Sequence, residues 1–239
     1  MMRVVIGLFL LALGTTYTGA ADLKVGTTYA GAVVVPTFRS AAQQKPASNP
    51  RLFNPQDLGL LEPPDREAWQ KPDQVMDALR IAEGTTVADI GAGGGWFTIR
   101  LARRVGKSGK VFAVDVQRLM MEAIERRVQR EELHWVTAVQ GDYDDPRLPA
   151  DARTDAVLIV DAFHEMEDPV LMLKNVARTL KPQGRIGIID YREGDGGPGP
   201  DAAERVPPSV VISQAAAAGL KLVEQHTFLR YQYFLIFGK

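Results

Sequence analysis

The chemistry-bearing residues begin with a cluster of glycines. In Val87-Ala88-Asp89-Ile90-Gly91-Ala92-Gly93-Gly94-Gly95-Trp96 an apolar run passes through glycines into a helical pattern. Glycine permits a sharp turn and lets a ligand approach the main chain without a Cβ in the way. The helix start beyond it offers free N–H groups and a positive partial charge. The spacing narrows the ligand. A G-x-G-x-x-G dinucleotide fingerprint would require glycine where Trp96 stands. No G-x-x-x-x-G-K-[ST] occurs, so a triphosphate P-loop is absent. The loop therefore favours a ligand bearing a carboxylate or small polar group over one bearing phosphates.

Acids follow at regular intervals. Asp115, with Val116 after it, ends the second apolar run about 20 residues past the loop, where a carboxylate can accept two ribose hydroxyls. Asp142 and Tyr143 end the third run, and Asp161, His164 and Glu165 follow the fourth. Each acid alone reads equally well as a loop-end cap. Polar groups at four successive strand ends are harder to explain that way. His164 is the candidate general base, since an imidazole titrates near neutrality. Glu165, Tyr191 and Arg192 are candidates to contact the substrate. His134 and His226 read as structural, and Tyr231, Tyr233, Phe234 and Phe237 as packing. No metal site is expected: one histidine beside near-adjacent acids is thin support, and the chain has no cysteine.

These residues need elements to position them. Strands are expected at 87–90, 110–114, 136–139, 156–160, 185–190, 221–226 and 231–237. Helices are expected up to Leu79 and at 96–105, 119–130, 170–180 and 209–218, the last closed by Gly219. Such alternation implies a parallel sheet with helices on both faces. The short final connection makes the last pair antiparallel. The Gly- and Pro-rich stretch from Arg192 to Pro208 reads as a substrate lid or a plain connector.

Residues 1–21 have a basic start, a short apolar run from Val4 to Leu13 and small residues at Gly19, Ala20 and Ala21. This is the layout of a secretory signal peptide, and the run is too short to span a bilayer. It implies a secreted or periplasmic protein; a cytoplasmic one is the alternative. Residues 22–64 read as a linker or N-terminal arm with a short strand at Val33–Val35, and the region holding Phe53 and Trp69 as a cover for the ligand. The domain proper is 65–239. A net charge of -1 without a basic stripe argues against nucleic acid as partner. Arg126, Arg127 and Arg130 interleave with glutamates and read as a solvated helix face. No integral span is expected in the mature chain, and oligomeric state is open.

The stretch from Trp69 to Lys239 resembles class I S-adenosylmethionine (SAM)-dependent methyltransferases, especially the bacterial group related to quinone-biosynthesis enzymes. The text that carries it is 87–95, Val111-Phe112-Ala113-Val114-Asp115, Gly141-Asp142-Tyr143 and Leu180-Lys181-Pro182-Gln183-Gly184-Arg185. The resemblance implies a seven-stranded Rossmann-like sheet with its last strand antiparallel, and SAM as cofactor. It implies that Asp89 and the Gly91, Ala92, Gly93 and Gly95 loop hold the methionine part, and that Asp115 with Val116 holds the ribose. Asp142 and Tyr143 would border the adenine, with Asp161 completing the seat. It leaves the acceptor open: a small molecule, a protein of the isoaspartyl-repair kind, or none, if the fold serves only to bind SAM. A nicotinamide-dependent oxidoreductase is disfavoured by Trp96.

Overall fold

A computed structural model describes residues 52–194 and 197–239. The signal sequence, the strand at 33–35 and the arm up to residue 51 lie outside the described residues. Seven strands form one sheet: β1 (Thr86–Ile90), β2 (Lys110–Asp115), β3 (Val136–Gln140), β4 (Thr154–Val160), β5 (Leu180–Tyr191), β6 (Lys221–His226) and β7 (Gln232–Gly238). Their spatial order is β3-β2-β1-β4-β5-β7-β6. The first five run parallel, and β7 inserts antiparallel between β5 and β6.

The strands alternate because both faces are buried. Ala156, Leu158 and Val160 of β4 point into one apolar layer, and Val157 and Ile159 into the other. This period of two puts successive side chains on opposite faces. The first layer packs beneath α2 (Pro72–Ala78), α3 (Trp96–Val105) and α4 (Arg118–Arg130). The second packs beneath α5 (Pro169–Thr179) and α6 (Pro208–Ala217). Local chemistry sets the ends. Pro169 occupies the first turn of α5, where its missing N–H costs nothing, and Asp168 Oδ1 accepts the Leu171 N–H at 2.9 Å. Gly219, at φ +85°, follows α6 as the sequence indicates.

Three expectations need correction. The helix expected to end near Leu79 is two helices, α1 (Arg66–Gln70) and α2. Lys71 between them sits at φ +47°, because the ring of Pro72 disfavours right-handed helix at the preceding residue. β5 begins at Leu180 rather than Arg185, with Leu180 already paired to Thr154. The described end of the supposed linker is folded: Pro55–Leu61 forms a 3₁₀ helix capped by Asn54, whose side chain accepts the Gln56 N–H.

β1 and β4 are neighbours whose following helices leave on opposite faces. That is the topological switch point where open α/β sheets hold ligands. Among the described residues, no helix is long and apolar enough to cross a membrane.

Candidate functional site

A cavity of about 1030 Å³, its open mouth included, lies at this switch point. Its floor is the glycine loop. Gly91, Gly93 and Gly95 have φ of +72°, +54° and +84°, a region costly for other residues. At Gly91 a Cβ would also stand 2.4 Å from that of Ala162, so β1 and β4 can converge here only on glycine. The loop is tied to β2: Val114 O accepts the N–H groups of Gly91 and Ala92, both at 2.9 Å.

The acids at the strand ends hold the loop as well as face the cavity. Asp115 Oδ2 accepts the Gly93 N–H and Oδ1 the Gln117 N–H, each at 2.9 Å. Burial outweighs these bonds and pushes its pKa up to about 6. Asp89 accepts the Thr98 hydroxyl at 2.7 Å, and burial likewise raises it to about 6. Asp142, Tyr143, Val116 and Ala162 also line the cavity. Gly95 does not. It caps α3, with Ile124, Thr98 and Arg127 around it, so its place in the motif is structural.

Asp161 stands at the end of β4 in a left-handed conformation, φ +55°. That is a strained choice for aspartate, and such strain persists only where the surroundings enforce it. Here they do. Gln232 donates to Asp161, Gln70 donates to Gln232 at 2.9 Å, and Arg66 Nε donates to Gln70 at 2.6 Å. The Arg66 guanidinium lies 3.6 Å from Asp161, closing a polar ring, and the Tyr191 hydroxyl adds a long contact of 3.4 Å. Burial raises Asp161 to about 7 against the opposing pull of Arg66.

Arg66 is the main residue that sequence reasoning missed. It is buried, lines the cavity, and stacks 4.3 Å from the ring of Trp96, which Arg100 covers at 3.5 Å. Thus Trp96, which excluded a dinucleotide loop, holds a guanidinium at the cavity wall. The signal was faint: one arginine in a short helix, with no periodicity to mark it. The arm was also underestimated. Leu52, Phe53, Leu61 and Glu62 line the cavity. Gln117 donates to Phe53 O at 2.9 Å. Glu62 takes both Arg127 guanidinium nitrogens at 2.7 and 2.6 Å, while Arg127 also holds Gly94 O at 3.0 Å. Arg127 therefore belongs to the site, not to a solvated helix face. Of the proposed cover, Phe53 reaches the cavity; Trp69 packs edge-on against Tyr231.

The remaining candidates divide. Glu165 lines the cavity, with a backbone hydrogen bond from Phe53, and burial raises its pKa to about 7. His164 lines a neighbouring pocket with Glu204, Arg205, Val206 and Pro207. Tyr191 is buried behind Asp161, and Arg192 lines neither cavity. Among the described residues no group of three or more His, Cys, Asp or Glu side chains could hold a metal ion.

The walls suit an amino acid joined to a nucleoside. Arg66 can meet a carboxylate, Asp89 and Asp161 an ammonium, and Asp115 a diol beside the polar pair Asp142 and Tyr143. A methyltransferase-domain family model matches residues 87–184, the stretch that builds this seat. A SAM-dependent methyltransferase from Aquifex aeolicus superposes with a TM-score of 0.74 at 27% identity, over 78% of this chain and 98% of that one. Residues 87–184 carry a methyltransferase domain. The same fold recurs in a magnesium protoporphyrin IX methyltransferase from Synechocystis with bound SAM, at 17% identity and a TM-score of 0.54, over 72% and 79% of the two chains. A demethylmenaquinone methyltransferase from Anoxybacillus flavithermus is 32% identical over 123 residues, 52% of this chain and 51% of that protein. The chain spans about half the length of the curated relatives it matches.

Proposed function

We propose that this methyltransferase transfers the methyl group of SAM to a small, hydroxylated ring compound of the quinol type. Bound SAM supplies an electrophilic methyl on a sulfonium, whose departure as a neutral thioether needs no proton. The residues' task is then placement and exclusion of water. Arg66, Asp89 and Asp115 would fix the two ends of SAM, and Phe53, Leu52 and Leu61 of the arm would offer the acceptor an apolar wall.

The observation that carries the reading is the single cavity floored by the glycine loop, with charged groups at one end and arm residues across it. The kinship with demethylmenaquinone methyltransferases supports the acceptor class. A small molecule suits a cavity partly roofed by the arm better than a protein substrate does. Calorimetry should give saturable binding of SAM and its demethylated product, and none of NAD. Incubation with SAM and reduced demethylmenaquinone should then yield demethylated cofactor and a methylated ring. Failure to bind SAM would overturn the whole reading. Binding without turnover of that acceptor would remove the quinol class.

A further inference from the structure

The short 3₁₀ turn Phe163–Glu165 separates two cavities and puts one acid–base group into each, with a third buried behind them. Glu165 lines the cavity floored by the glycine loop; His164 lines the neighbouring pocket, whose far wall is formed by 203–207 and Val210. His164 Nε2 lies 3.9 Å from Glu165 Oε1. On its other side, His164 Nδ1 lies 3.0 Å from both oxygens of Asp190, which is wholly buried at the end of β5. Asp190 also accepts the backbone N–H groups of His164 at 3.1 Å and Tyr191 at 2.8 Å, so its carboxylate is fixed in place.

We propose that Glu165, His164 and Asp190 form a proton relay that carries the acceptor's proton out of the methyl-transfer cavity into the second pocket. The proposal rests on the methyl-transfer reading above. A carboxylate beside Nδ1 demands that this nitrogen carry the hydrogen, which leaves Nε2 as the acceptor on the side of Glu165. An acceptor hydroxyl would lose its proton to the Glu165 carboxylate and keep the bonding pair. Delocalised into the ring, that pair forms the new bond from a ring carbon to the methyl group, and the hydrogen displaced from that carbon moves as a proton to the oxygen as the ring regains aromaticity. The Glu165 acid passes the proton to His164 Nε2. The resulting imidazolium, neutralised by Asp190, keeps its Nδ1 hydrogen and gives up the Nε2 proton to water in the second pocket that His164 lines, so the relay returns to its starting charges. The 3.9 Å gap closes by a small rotation of Glu165, since such contacts often tighten only in the loaded site. Asp190 is a positioning residue, acting through His164.

The electrostatics support this. Burial works against charge on His164, but the hydrogen bond and charge of Asp190, with help from Glu165 and Asp161, raise its pKa above the ordinary value. Burial raises Glu165 as well, to about 7. The groups facing the imidazole are Asp190 from β5, Asp161 from β4, Glu165 beside it, and Glu204 and Arg205 across the second pocket.

The test is ¹⁵N NMR of the ring nitrogens in the full chain, whose three histidines can be assigned by substitution. The wild-type protein should show His164 as the Nδ1–H tautomer above its transition, with a two-step titration from coupling to Glu165. Glu165→Gln should reduce this to one step. Asp190→Asn should move the transition down by about one pH unit or more, as loss of an adjacent charge does, and let the Nε2–H tautomer appear. An Nε2–H tautomer in the wild-type protein, or a curve unchanged by Glu165→Gln, overturns the relay. The wild-type spectrum decides even if Asp190→Asn does not fold. SAM calorimetry on the same samples separates the two ideas: intact binding with an uncoupled His164 sinks the relay alone, whereas lost binding sinks the methyl-transfer reading.

Discussion

At the residue scale, Asp115 has two duties. It accepts two backbone N–H groups that shape the loop, and it faces the cavity where a ribose would lie. Asp115→Ala should weaken SAM by about 1–3 kcal/mol, the usual worth of hydrogen bonds to a charged group. Calorimetry checks this, and unchanged affinity would remove the ribose role. Arg66→Gln should weaken SAM by a comparable amount and also loosen Asp161, whose left-handed backbone depends on the Arg66–Gln70–Gln232 ring. The acids were legible in the sequence because strand ends can be counted from apolar runs. Arg66, Gln70, Gln232 and Asp190 were not: apart from the Arg66–Gln70 bond, their roles arise from contacts between residues 26 to 162 positions apart, which no local pattern encodes.

At the element scale, most strands and helices follow from periodicity alone, because the central strands β1, β2, β4, β5 and β7 are buried on both faces and carry distinct apolar runs. What escaped was the arm. Residues 54–61 include the Asn, Pro and Gly of a linker, yet Leu58 and Leu61 rest on Gly94 and Gly93, and Glu62 anchors the segment to Arg127. Its order comes from what it touches rather than from its own propensity. Glu62→Ala should therefore free the arm, with the segment around 52–62 becoming sensitive to protease while the thermal transition of the core moves little. Gly91→Ala acts differently: a Cβ 2.4 Å from Ala162, at positive φ, should cost more than about 1 kcal/mol in a denaturant titration.

At the scale of the whole molecule, the site's buried acids shift together. Asp89 and Asp115 are raised to about 6, Asp161 and Glu165 to about 7, and His164 is raised as well. Each binds protons more readily folded than unfolded, so each contributes stability at low pH that is lost as pH rises through its folded value. The ligand-free protein should thus melt several degrees higher near pH 5.5 than near pH 8. A flat or opposite profile would show that these groups are better solvated than their burial implies. SAM affinity should run the other way, falling below about pH 6 as Asp115 takes up its proton.

Every wall residue of the cavity floored by the glycine loop precedes residue 173, and apart from the arm and Arg66 all of them fall within 89–172. The strands β6 and β7 contribute only Gln232, from behind Asp161. The chain is thus divided by task along its length, with a central cofactor cassette flanked by parts that touch it lightly. A graft of residues 52–62 from another member of the fold could change which acceptors are admitted while leaving Arg66 and the glycine loop in place, and the natural downstream splice point is the turn at Pro63-Pro64.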